Sequence, residues 1–225
     1  MMKLRTEDLT RTFRIGSSEI TAVDKVTFEV NEPAFVAIVG PSGSGKSTLL
    51  SLIGLNDYPT SGKIFIDGAD SSHFSAGQRR KMRLRQMGFV FQTFNLLPTL
   101  NALENVELPL ALAGKPRREQ KEKAVGLLEL VGLGKRFLHR PKELSMGEMQ
   151  RVAIARALAN DPEMIIADEP TGELDSKTAK EIITLLFDIN KKDNRTVIVA
   201  THDEKVVDVA DATYVIQDGK LRLEK

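Results

Sequence analysis

Hydrophobic and polar positions change rhythm along this chain. Near the N-terminus they alternate: Val26, Phe28 and Val30 fall on one face of an extended segment and Thr27 and Glu29 on the other. That is the period of a half-buried strand in an antiparallel sheet. Ala34 to Val39 is an unbroken apolar run ending at Gly40, which suits a central parallel strand covered on both faces. Met164 to Ala167 and Thr196 to Ala200 repeat that type, and each run stops at a polar cluster: Pro41 to Thr48, Asp168 with Glu169, and Thr201 to Asp203. Helical patterns separate them, so a βαβ-type parallel sheet is predicted, its three clusters meeting on one rim at the C-terminal ends of the strands.

Between Gln92 and Asn160 the buried-strand pattern is absent and helical stretches replace it, among them Arg117 to Val131 and Met149 to Ala159, with Pro109, Pro116 and Pro141 as punctuation. A hairpin turning at Asp218-Gly219 closes the chain. The expected organisation is one domain over 1–225: a core with an antiparallel β subdomain from 1–91 and 161–225, and a mainly helical subdomain from 92–160. No internal repeat or low-complexity tract interrupts it.

Composition narrows the chemistry. The 225 residues can bury a sizeable core, and the absence of cysteine excludes disulfides, thiolate metal sites and a Cys nucleophile. Lys plus Arg number 32 against 31 Asp plus Glu, a net charge of +1, so no global field points to nucleic acid. Apolar stretches such as Leu108 to Gly114 are far short of the roughly 18 residues a membrane-spanning helix needs. The first residues run into charge without an apolar signal core, and a soluble, cytoplasmic protein is expected.

The segment Gly40, Pro41, Ser42, Gly43, Ser44, Gly45, Lys46, Ser47, Thr48 contains G-x-x-x-x-G-K-[ST] directly after a buried strand and before the apolar Leu49, Leu50, Leu52 and Ile53. This is the setting a phosphate-binding loop requires. Gly43 and Gly45 let backbone N–H groups turn inward around phosphate oxygens, with the helix N-terminus adding its partial positive charge. Lys46 bridges the β- and γ-phosphates in this reading, Ser47 offers a hydroxyl to Mg²⁺, and Thr48 bonds the α-phosphate. A Gly/Ser-rich turn with a solvated lysine is the plainer alternative.

Successive strand side chains face opposite ways, so Asp168 and Glu169 need not share a task. Asp168 fits the Mg²⁺ shell and Glu169 a general base that polarises water in line with the γ-phosphate. His202 follows another buried strand and is expected to contact the γ-phosphate, while His73 and His139 have no such position. Asn190-Lys191-Lys192-Asp193 matches a guanine-specificity pattern, yet it follows a helical segment instead of a strand and reads as a helix end. The basic run Arg79, Arg80, Lys81, Arg83 and Arg85 lacks interleaved aromatics, so a solvated helix face is expected and no nucleic-acid partner.

Leu144-Ser145-Met146-Gly147-Glu148-Met149-Gln150-Arg151 runs into the helical Val152 to Ala159, and Ser145-x-x-Glu148 is a capping box at a helix start that is nonetheless an anion site, so the two roles can coexist. With the phosphate loop, Gln92, Asp168, Glu169, Asp175 and His202 in this order, the chain resembles ATP-binding-cassette ATPases along nearly its whole length. The resemblance implies a RecA-like P-loop NTPase core, an α/β fold, ATP and Mg²⁺ as ligands, and ATP hydrolysis. It further implies Phe13 stacking on adenine, Gln92 at the metal linking the γ-phosphate to the membrane-facing subdomain, and Asp175 as the dimer-loop aspartate. The signature residues Ser145, Gly147 and Glu148 of one subunit would cover nucleotide held by the other, in a head-to-tail dimer. The family signature reads L-S-G-G-Q, and this chain departs from it at Met146 and Glu148.

The stretch Gly88 to Leu110 is similar to the subgroup serving lipoprotein release, macrolide-type export and cell division. That implies a separately encoded membrane permease or force-transmitting partner, and peripheral attachment at the cytoplasmic face of the membrane. A soluble cassette ATPase of DNA repair or translation is the alternative. Such proteins usually carry a long coiled-coil insertion or two cassettes, which 225 residues do not hold.

Overall fold

The computed structural model describes residues 2–225; Met1 lies outside it. Among the described residues, two sheets and seven α-helices follow in the order β1 (Leu4–Ile15), β2 (Ser18–Val30), β3 (Phe35–Val39), α1 (Lys46–Ile53), β4 (Ser61–Ile66), β5 (Ala69–Asp70), α2 (Ala76–Gln86), β6 (Met87–Phe91), α3 (Ala102–Leu112), α4 (Arg117–Leu130), α5 (Met146–Leu158), β7 (Met164–Asp168), α6 (Ser176–Asp193), β8 (Thr196–Thr201), α7 (Glu204–Val209), β9 (Ala212–Gln217) and β10 (Lys220–Leu223). One sheet has the order β2-β1-β4-β5 and is antiparallel. The other has the order β10-β9-β3-β8-β7-β6, parallel except for the closing β9-β10 hairpin.

The unbroken apolar runs are the centre of that second sheet, because each must cover two faces. Phe35 and Ala37, Ile165 and Ala167, and Val197 and Val199 face one core shared with the helices from α3 to α6. Their alternates Val36 and Ile38, Met164 and Ile166, and Ile198 and Ala200 face a second core shared with α1 and the antiparallel sheet. The sheet thus forms the middle of three layers, with the side-chain period of two deciding which residues meet which layer.

In the segment 92–160 every α-helix and strand assigned is a helix, α3 to α5. Three readings need correction. Pro109 lies inside α3 instead of bounding it. α5 starts at Met146, three residues before the apolar periodicity suggested, because Ser145 caps it. The basic run forms α2, but its face is not uniformly solvated: Arg79 is buried, its guanidinium 4.0 Å from the Tyr58 ring centroid and Nη2 donating to the Asp57 carbonyl at 2.6 Å. Arg83 similarly donates to the Leu55 carbonyl at 2.7 Å. A guanidinium with a stacked face and bonded edge satisfies burial that an unpaired charge would not. The Asn190 to Asp193 segment is the C-terminal end of α6, with buried Asn190 bonding the Arg195 carbonyl at 2.6 Å.

Candidate active site

Four parallel strands end in register: Phe91 lies opposite Asp168, Asp168 opposite Ala200, and Val39 opposite Thr201. The next residue after each strand is therefore delivered to the same rim, and these residues are Gly40, Gln92, Glu169 and His202. Ligand sites in open parallel sheets form at such carboxyl ends. A cavity of about 580 Å³ opens there, lined by Ala22, Ser42, Gly43, Gly45, Lys46, Ser47, Thr48, Gln92, Glu169 and His202.

Gly45 is the N-cap of α1 with φ 108°, and a Cβ there would collide with the Ala22 carbonyl oxygen, so the turn admits glycine alone. No side chain caps α1 and its first turn holds no acid. Its leading N–H groups, together with the helix dipole, make a ready anion site. Lys46 is buried beside it, Nζ donating to the carbonyls of Gly40 at 2.8 Å and Pro41 at 3.0 Å and lying 3.5 Å from Glu169 Oε1. Ser44 Oγ is buried without a hydrogen-bond partner.

Glu169 sits between two basic groups, with His202 Nδ1 3.0 Å from Oε2 on the other side. Its carboxylate is mostly buried, whereas the His202 side chain is 73% exposed. Asp168 is one residue earlier, and burial pushes its carboxyl above the usual range, with the neighbouring Ser47 hydroxyl acting in the opposite sense. Its Oδ1 is buried and unpartnered. A hydroxyl and an acid with a spare oxygen suit Mg²⁺ that is completed by phosphate oxygens and water. Among the described residues no group of three or more His, Cys, Asp or Glu could hold a metal unaided.

The remaining candidates are distributed differently. Gln92 lines the cavity, but its Nε2 donates to Glu173 Oε1 at 2.9 Å. Phe13 does not line it; it pairs with Ile20 across the β1-β2 ladder, and the Arg11 guanidinium lies 4.6 Å from its ring centroid. Asp175 caps α6, accepting from the Lys177 and Thr178 N–H groups and from the Thr178 hydroxyl at 2.6 Å. Ser145 and Glu148 form the expected capping box at α5, and Glu148 Oε1 also accepts from Arg136 Nε at 2.8 Å. The Ser145 N–H, against the opposing effect of burial and with help from Arg136, holds the Glu148 carboxyl below its usual range. Gly147 packs so closely on Thr178 that a Cβ would stand 2.5 Å from Thr178 Cγ2.

Gln150 and Ala22 escaped the sequence reading. Ala22 acts through its carbonyl, which no residue type advertises. Gln150 carried a signal: positions 150, 153, 154 and 157 are one buried helix face, and a glutamine there is a polar intrusion that demands partners. A second concavity of about 400 Å³ lies away from the rim, where Leu84, Met87, Phe89, Leu108, Pro109 and Leu112 meet Arg80, Arg83 and Arg156.

Comparison with known proteins follows the same outline. The sequence model of the ABC transporter family matches residues 23–172. An uncharacterized ABC transporter ATP-binding protein of Thermotoga maritima is 50% identical over 95% of this chain and 91% of its own. The lipoprotein-releasing system ATP-binding protein LolD of Legionella pneumophila is 44% identical over 97% of this chain and 96% of its own. The ATP-binding cassette MJ0796 of Methanocaldococcus jannaschii, solved as a dimer in a post-hydrolysis state bound to ADP and Pi, is similar with a TM-score of 0.91 and 44% identity, covering 99% of this chain and 98% of that one.

Proposed function

Because the chain belongs to the ABC transporter ATPases, ATP-binding and ATP-hydrolysing subunits that power membrane partners, we propose that it works as an ATP-closed dimer. In this reading it drives a separately encoded membrane permease or force-transmitting protein of the export or lipoprotein-release kind. The named relatives act in transport, which sets aside the repair or translation alternative. The observation that carries the reading is the convergence of the uncapped α1, Lys46, Asp168 and Glu169 on one rim.

The first-turn N–H groups of α1 and the ammonium of Lys46 hold the β- and γ-phosphates, with Ser42, Gly43 and Thr48 closing the cradle. Ser47 and Asp168 hold Mg²⁺, which when bound neutralises charge on the phosphate oxygens. Glu169 takes a proton from the water that attacks the γ-phosphorus as its bond to the bridging oxygen breaks, releasing ADP and phosphate. His202 stays beside Glu169 Oε2, and Gln92 reports on the site from the end of β6. Ser145 and Gly147 of a second copy cover the nucleotide, a reading supported by the solution of the similar MJ0796 cassette as a dimer bound to ADP and Pi. Phe13 receives the adenine. The Arg-rimmed apolar concavity gives the membrane subunit its seat, at the cytoplasmic face.

Glu169→Gln tests the reading, since an amide keeps the shape and loses the basicity. Hydrolysis should fall by roughly a hundredfold or more while Mg-ATP still binds. Sizing chromatography with light scattering should find a dimer with ATP and a monomer with ADP. A variant that remains monomeric at saturating Mg-ATP removes ATP-driven closure, and one that hydrolyses at the parent rate removes Glu169 as base.

A further inference from the structure

Gln150 lies on α5, just over one turn after Ser145, and is wholly buried. Its Nε2 donates to the Pro170 carbonyl at 2.6 Å and more weakly to the Phe91 carbonyl at 3.4 Å. Those two carbonyls belong to the residues adjoining Glu169 and Gln92. Its Oε1 is buried without a partner. An amide that served packing alone would be replaced at no loss by an apolar side chain of the same length, since the orphan acceptor carries a desolvation cost. What the amide supplies is the donor, held between two chain segments that carry reacting groups.

The Glu169 segment needs such a hold. Its φ is 46°, a conformation that L side chains rarely adopt and that persists only where surroundings impose it. The Glu169 N–H is fixed by the Ala200 carbonyl at 2.8 Å, at the end of β8. The Glu169 carbonyl is taken by the Gly172 N–H at 3.1 Å and proline at 170 has no N–H to give, so the Pro170 carbonyl is the next handle left along the chain, and Gln150 grips it. Helix α5, which Ser145 caps, is thereby joined to the peptide that aims the carboxylate.

We propose that Gln150 is a positioning residue for hydrolysis, tying α5 to the backbone of Glu169 and Gln92 so that the base keeps its place only while α5 keeps its own. The inference rests on the reading of Glu169 as base and extends it to how the signature helix reaches that base. Gln150 touches neither the phosphate cradle nor its lysine, so nucleotide binding is left to α1.

Gln150→Met keeps the length and burial and removes the donor. In Mg-ATP turnover kcat should drop roughly tenfold to a hundredfold, the size expected of a misplaced reacting group, with ATP affinity by fluorescent-nucleotide titration within about twofold of the parent. Combined with Glu169→Gln, it should still give the ATP-dependent dimer. If Gln150→Met does not fold by circular dichroism, Gln150→Asn, whose shorter amide cannot reach both carbonyls, takes its place with the same split expected. A folded variant with kcat within about twofold of the parent overturns the proposal, as does one losing kcat and ATP affinity in equal measure, the mark of a merely structural residue. Glu169→Gln alone, assayed alongside, separates the two ideas: parental turnover there sinks the base assignment, whatever Gln150 does.

Discussion

The proposed function gives a phosphate role to the N-termini of two helices, and they are built in opposite ways. α1 begins at a left-handed glycine with no capping side chain and no acid in its first turn. α5 begins at a serine whose hydroxyl accepts from the Glu148 N–H at 3.2 Å, while Glu148 returns a bond to the Ser145 N–H at 2.9 Å. The first end keeps its donors free and its field undiminished, so it can hold a polyphosphate by itself. The second has spent part of its donors on its own side chains, and a carboxylate occupies the place where an anion would settle. In the proposed reading the open end binds and the closed end covers, and the nearby carboxyls are shifted by their own surroundings: burial raises Asp168, while the Ser145 N–H and then Arg136 lower Glu148.

The largest effect is expected where the open end is broken. Lys46→Ala removes the buried ammonium that stands between the loop carbonyls and Glu169. Hydrolysis should fall by roughly a hundredfold or more, the scale for losing one fixed donor to a developing oxyanion, and ATP affinity should weaken in the same titration. Unchanged affinity would contradict the assignment of this loop. The circular dichroism spectrum should stay that of the parent, because the apolar face of α1 formed by Leu49, Leu50, Leu52 and Ile53 remains in the core.

The open end was legible in the sequence and the closed end only in part, for a physical reason. A phosphate loop is local: strand, glycine turn and helix start lie within about ten residues, and the apolar runs that became β3, β7 and β8 carry their burial in their own composition. The capping box at Ser145 is equally local. Arg136 reaches Glu148 from twelve positions away, Gln150 reaches Phe91 and Pro170 from 59 and 20, and Arg79 finds the Asp57 carbonyl 22 residues back. No periodicity encodes such contacts, so charge on α2 was read as solvated when the fold had folded part of it inward. Phe13 illustrates the converse, since a family position can be legible while the ring itself packs under Arg11.

A middle-sized effect should separate the two carboxyls by pH. Asp168 has its folded value raised by burial, so its contribution to stability is fully present below the ordinary carboxylate range and is lost as pH rises through the raised value. Asp168→Asn should therefore raise the melting temperature of the nucleotide-free protein at neutral pH, with the gain fading toward pH 4. The same variant should lose Mg²⁺-dependent ATP affinity, because the amide replaces the charged ligand. Thermal melts across pH 4 to 8 check the sign: a destabilised Asp168→Asn at pH 7 would contradict the burial argument.

The smallest effect concerns the closed end and tests whether its charge matters beyond its shape. Ser145→Ala removes an N-cap acceptor and should cost about 1 kcal/mol, or about 2–4 °C in melting temperature for a chain of this size. Glu148→Gln is gentler, because glutamine can still accept from the Ser145 N–H and loses the charge and the second acceptor oxygen that faces Arg136. That pair is partly exposed, so the loss should be a few tenths of a kcal/mol and should shrink in high salt. Glu148 has its folded value lowered, so its contribution is present above the ordinary carboxylate value and disappears as pH falls through the depressed one. Melts of Glu148→Gln against the parent should thus differ at pH 7, with the parent the more stable, and converge under acid conditions, the opposite sign to Asp168→Asn with the same pH trend. Arg136→Ala should lose about as much in the parent and almost nothing in the Glu148→Gln background, since the guanidinium then has no carboxylate to neutralise. Additive losses in that double variant would mean that Arg136 acts through other neighbours, such as His139 at 3.3 Å from Nη1, and that the closed end is held by shape alone.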